Sequence, residues 1–108
     1  MKKTYNNSGR NQLAQFIGQK INFAGLVVDT KCPTADQRFI CLRKMDIERN
    51  GYNIHCHHMW LDISHLKDVK VRLCEWLQGN AYVEEYTRRD GSQSYGITEA
   101  VSVVPMPA

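Results

Sequence analysis

Asn50-Gly51 stands between two β-prone runs, residues 38–47 (RFICLRKMDI) and 52–63. Asn-Gly with such flanks is the strongest short-range hairpin signal a sequence carries, because a type I′ turn needs two successive residues at positive φ. A second tight turn, Asp90-Gly91, separates residues 80–88 (NAYVEEYTR) from residues 95–104 (YGITEAVSVV). Two turns of this kind, each between β-prone runs, commit most of the chain to antiparallel β structure.

A further strand is predicted over residues 20–29 (KINFAGLVVD). Gly25 interrupts it, as a bulge or bend would. The Pro-containing stretch over 30–37 reads as a loop. At 64–78 the period changes: Leu66, Val69, Leu73, Trp76 and Leu77 recur at helical offsets. Ser64 suits the N-cap and Gly79 the residue after the C-cap, so an amphipathic helix is predicted there. Ahead of the first strand, Asn11 could cap a short turn carrying Leu13, Phe16 and Ile17, ended by Gly18. Residues 1–10 are polar and basic without periodicity and read as a flexible arm, leaving one domain over 11–108. Pro105 and Pro107 end the last strand by withholding ladder hydrogen bonds.

Three strands, a helix and a closing hairpin make up the order of a five-stranded Greek-key barrel of the OB type, whose helix lies between strands three and four. An SH3-like barrel would not need a helix there. A ferredoxin-like fold would place one between its first two strands, where this chain has an eight-residue loop. In that barrel Ile54, Cys56, His58 and Trp60 are expected to point inward, alternating with an outward set of Asn53, His55 and His57.

The combination of His58-Met59-Trp60-Leu61, the predicted helix, Gly79, and Tyr86-Thr87-Arg88-Arg89-Asp90-Gly91 followed by Tyr95-Gly96-Ile97 resembles small OB-fold proteins encoded by phages and mobile elements. The likeness spans roughly residues 20–104. It implies single-stranded nucleic-acid binding or an accessory role beside replication proteins.

Catalytic patterns are missing. Cys56 and His57 are neighbours on a strand and face opposite ways, so they cannot act as nucleophile and base. The same holds for Glu84 and Glu85. There is no phosphate loop, dinucleotide fingerprint or Gly-x-Ser-x-Gly, and no cofactor is expected. His55 and His57 share a face and His65 follows, but zinc needs three or four ligands at recognisable spacing, so no metal is expected. The four cysteines (Cys32, Cys41, Cys56, Cys74) are read as free thiols, mostly buried.

With 43% hydrophobic residues in 108, one core can form, and no apolar run approaches the length of a membrane span. Residues 4–9 are polar where a signal peptide would be apolar, so a cytoplasmic location is expected. The charge is uneven: residues 1–49 carry nine Lys and Arg against four Asp and Glu, whereas residues 50–108 carry five against seven. A basic front half favours an anionic partner. The fourth predicted strand sets Tyr82, Glu84, Tyr86 and Arg88 on the face opposite Ala81 and Val83. Aromatics interleaved with Arg suit base stacking and phosphate neutralisation. The candidate single-strand contacts are therefore Tyr82, Tyr86, Arg88 and Arg89, with Lys31 in the first loop. Arg38, Arg43 and Lys44 on the second strand and the outward His55 and His57 complete the set. Arg43 and Lys44 can both face a groove only across a bulge. The alternative is a protein-binding module, a replication accessory subunit or an inhibitor of a host protein, which the acidic back half (Asp62, Asp68, Glu75, Glu84, Glu85, Asp90, Glu99) favours. A homodimer is open in either case.

Overall fold

The computed structural model describes residues 9–106. Most of the expected arm, and Pro107, lie outside them. Gly9 and Arg10, placed in the arm by sequence, begin a short helix, α1 (Gly9–Gln12), which runs into a single 3-10 turn over Leu13–Phe16. Five strands follow: β1 (Lys20–Lys31), β2 (Phe39–Arg49), β3 (Tyr52–Asp62), β4 (Trp76–Thr87) and β5 (Gln93–Pro105). They form one antiparallel sheet in the order β3-β2-β1-β4-β5. Three hairpin-linked strands with the fourth returning beside the first is the Greek-key order. The outer strands β3 and β5 approach each other but share no ladder, so the sheet curls and stays open. No helix among the described residues is long and apolar enough to cross a membrane.

Both turns fall where the sequence puts them. Asn50 and Gly51 have φ of 52° and 83°, the two positive values that a type I′ turn requires, and Gly91 has φ of 87°. The curl comes from extra residues in the ladders. Opposite Gly25, β2 carries one residue too many, Lys44, at φ of 51°. A side chain at Gly25 would press on Leu42 and Met45, so glycine lets the bulged strand close up there. Two more extra residues lie in β5 between Thr98 and Val104, a stretch in which Glu99 and Ser102 take left-handed backbone. Each insertion bends the strand and increases its twist.

The bulge at Lys44 also moves the apolar phase of β2 and, with it, of β3. Ile54 and Cys56 are buried as expected, but the next inward residues are Met59 and Leu61. On β2 the inward set passes from Leu42 to Met45 in step, and the β2–β3 register is unbroken across this point. Four residues, Arg43, Lys44, His57 and His58, are left off the core. Two expectations fail as a result. His58 is half-buried at the surface, and Trp60 is 42% exposed.

The helix expected over 64–78 does not form. Residues 63–75 are a chain of turns, and Trp76 and Leu77 already belong to β4, paired with Leu26 and Gly25. Arg38 accounts for much of this. Its guanidinium donates to the carbonyls of Leu66 (3.0 Å) and Val69 (2.7 Å), which a helix would have satisfied internally. Leu66, Val69 and Val71 still pack on the core, while Leu73 is exposed. Helical spacing thus arose from a loop that pins every few residues. All four cysteines are free; Cys41 and Cys56 are buried, Cys32 and Cys74 exposed. Burial pushes the Cys56 thiol up to about 11.

The open seam between β3 and β5 is filled by the N-terminal segment. Leu13 is fully buried in the core, and Gly18 and Gln19 exchange backbone hydrogen bonds with Val83 on β4. Gly9 lies so close to β3 that a Cβ would sit 2.0 Å from the His55 carbonyl oxygen. Gly9→Ala must therefore push α1 away from β3. We expect a loss of about 1–3 kcal/mol, as for other overpacked contacts, measured as a lower urea midpoint, whereas Gly18→Ala lacks this clash and pays only for its positive φ.

Candidate nucleic-acid interface

Two shallow depressions meet at Trp60. One, of ≈ 230 Å³, lies at the β1–β2 loop between Lys31, Pro33 and Phe39. The other, of ≈ 270 Å³, lies over the seam between β3 and the β4–β5 hairpin, with Arg10, Glu84, Tyr86 and Gly96 around it. Trp60 lines both, so its indole joins a path from the first loop to the closing hairpin. Phe39, Trp60 and Tyr86 are the aromatic residues along that path.

A hydrogen-bonded network fixes the seam end. Arg10 donates from Nη1 to the Tyr86 hydroxyl (2.9 Å) and from Nη2 to the His58 carbonyl (2.8 Å). Arg88 donates to Ser94 Oγ (3.0 Å), and Ser94, itself buried, faces Tyr86 across the β4–β5 ladder. Burial alone would raise the Tyr86 phenol. Its bond with Ser94 and the charges of Arg10 and Arg88 outweigh that and bring it below its ordinary value. The Tyr86 ring also lies against Gly96, whose missing side chain leaves it room.

Of the four residues left outward by the phase change, Arg43 and Lys44 make this flank cationic. Arg43 pairs with His58 across β2–β3, and both Arg43 and Lys44 are exposed, as the bulge allows. The His57 and His58 rings stand edge to face at 5.2 Å with their Nδ1 atoms 3.0 Å apart. Burial lowers the His58 pKa, and Arg10, His57 and Arg43 lower it further. Two guanidinium groups, Arg10 and Arg43, acting on one imidazole mark a region of positive potential beside the seam.

The residues singled out from sequence divide accordingly. Lys31 and Tyr86 line the path, Arg88 stands at its hairpin end bonded to Ser94, and Arg43, Lys44 and His57 lie on the neighbouring β2–β3 surface. Arg89 is exposed in the β4–β5 turn, and Tyr82 is half-buried further along β4, opposite Lys20 and Thr98. Arg38 does not join them, since its guanidinium holds the β3–β4 connection. His55 is held to Asp46 on β2 through Nδ1. Among the described residues no group of three or more His, Cys, Asp or Glu could hold a metal ion. Sequence reasoning missed Trp60, Phe39 and Arg10. Trp60 was legible in principle: Met59, Leu61 and Ile63 make a better apolar set than His58 and Trp60. Nothing local marks Arg10, whose role comes from contacts 48 and 76 residues away.

No family model matches this chain. No curated protein and no solved structure matches it either. The chemistry of the path carries the functional reading.

The His58 shift has a sign that can be measured. Folding favours the neutral imidazole, so the unfolded chain binds more protons as pH falls through about 6.5, the ordinary imidazole value. Stability present above that value is lost as pH falls toward the folded-state pKa. A proton-NMR titration should place His58 below the ordinary imidazole value, and His58→Gln should remove its share of the slope of urea midpoint against pH.

Proposed function

We propose that this chain is a non-catalytic, cytoplasmic OB-type module that holds single-stranded nucleic acid along the path from Lys31 to Arg88. The observation that carries the proposal is Trp60: a large aromatic, 42% exposed, shared by two depressions and flanked by cations. An indole this open on a strand face offers a surface on which a base can stack. Bases stack on any aromatic face, while Lys and Arg neutralise the phosphates.

The strand order supports the OB-type reading, with the seam between β3 and β5 as the incompletely closed joint of a partly open barrel. Ligands of such barrels lie on strands two and three, between the first and last hairpin loops, and the Trp60 path follows that course. The likeness to OB proteins of phages and mobile elements points to the same ligand class. Between β3 and β4, where such a barrel carries its helix, this chain has turns.

One observation favours a protein partner instead. Where β4 begins and β5 ends, Trp76, Val104 and Met106 are all exposed, and Met106 bonds to the Trp76 carbonyl, so they are adjacent. None of the three lines the path, and the patch suits docking on a replication or host protein.

Labelled oligothymidylate, titrated at low and moderate salt, separates the two. Trp60→Ala should lose about 1–3 kcal/mol, the worth of one stacked base, without loss of stability. Arg43→Ala, Lys44→Ala and Arg88→Ala should each flatten the dependence of log affinity on log salt by about one phosphate contact. No binding by the wild-type protein at low salt would leave the protein-docking reading.

A further inference from the structure

The seam depression holds one group that a polyanion groove does not need. Glu84 lies opposite Gly96 on the β4–β5 ladder, is exposed, and lines the depression with Arg10, Trp60 and Tyr86. Among the described residues its carboxylate has no hydrogen-bond or ion-pair partner. Beside Arg10, Arg88 and the cationic flank, a free carboxylate repels the phosphates the path would attract. Such a residue is explained if it meets a base edge rather than the backbone.

Arg10 supplies the complementary half. A guanidinium has five N–H donors. Arg10 uses one from each terminal nitrogen, to Tyr86 and to the His58 carbonyl, and its Nε is buried without a partner. One N–H on each terminal nitrogen remains, on a fork already fixed in place by those two bonds. The depression thus offers a bidentate acceptor, a pair of donors, and two aromatic residues, Trp60 and Tyr86, in its lining.

Resting on the single-strand reading above, we propose that this depression is a guanine-selective subsite within an otherwise sequence-tolerant groove. Guanine has two adjacent donors on its Watson–Crick edge, N1–H and N2–H, which match the two oxygens of one carboxylate. Its O6 and N7 acceptors are the usual target of an Arg fork. Adenine and cytosine offer a carboxylate only one exocyclic amino group, and thymine or uracil a single ring N–H. Unstacked bases of a single strand expose both edges to such contacts. The phosphates on either side stay with Arg43, Lys44 and Arg88.

Fluorescence anisotropy with labelled oligothymidylate, and with the same strand carrying one central guanine, adenine or cytosine, tests this. The guanine strand should bind about tenfold tighter than oligothymidylate, in the range of one bidentate base contact. Adenine and cytosine strands should fall between them. Glu84→Gln should abolish the guanine preference and bind oligothymidylate more tightly, because a negative charge has left the groove. That opposite movement cannot come from a damaged fold. Equal binding of all four strands, or a guanine preference that survives in Glu84→Gln, would overturn the guanine subsite and leave the single-strand reading standing. Failure of every strand to bind at low salt would overturn both.

Discussion

The guanidinium of Arg10 bridges a seam that the sheet itself leaves open. One terminal nitrogen holds the backbone of β3 at His58, the other the Tyr86 hydroxyl on β4. Without this bridge and the Leu13 side chain below it, the edges of β3 and β5 would face each other across unfilled space. Exposed strand edges invite pairing with other chains, and covering them with a short segment is a common remedy. Gly9 makes the cover possible, since only a residue without a side chain can lie on the His55 carbonyl. The same bridge positions one wall of the ligand path. A single arginine thus links the stability of the fold to the shape of its binding face, and variants at Tyr86 report on both at once.

The rest of the path depends on one extra residue. Lys44, inserted opposite Gly25, shifts the inward phase of β2, and unbroken pairing carries the shift into β3. Had the alternation continued, Trp60 would be core, and Met59 and Leu61 would face solvent. The bulge places Arg43, Lys44, His57 and His58 together on the outside and turns the indole toward the seam. Cations and aromatic surface therefore come from one backbone irregularity rather than from separate features.

Much of this was legible in the chain. Asn50-Gly51 and Asp90-Gly91 set the two hairpins, Gly25 marked the bulge, and the alternation of Ala81 and Val83 against Tyr82 and Tyr86 gave the faces of β4 correctly. Two features escaped for physical reasons. The helical spacing over 64–78 was real, but Arg38 took the carbonyls that would have closed a helix, and β1 recruited Trp76 and Leu77 into a ladder. The inward assignment of His58 and Trp60 extrapolated a strict period of two through a bulge, and one inserted residue exchanges the two faces of everything beyond it. Arg10 was beyond reach of local reading, because its partners are distant in sequence and the polar residues around it resemble a free arm.

The two tryptophans offer the most direct test that the path binds single strands. Trp60 and Trp76 are exposed to nearly the same extent, 42% and 41%, but only Trp60 lines the path. Oligothymidylate titrated at low salt into Trp76→Phe should quench the remaining indole as a base stacks on Trp60. The same titration into Trp60→Phe should leave the Trp76 emission unchanged. Quenching that persists in Trp60→Phe, or that is absent from Trp76→Phe, would contradict a strand seated on Trp60.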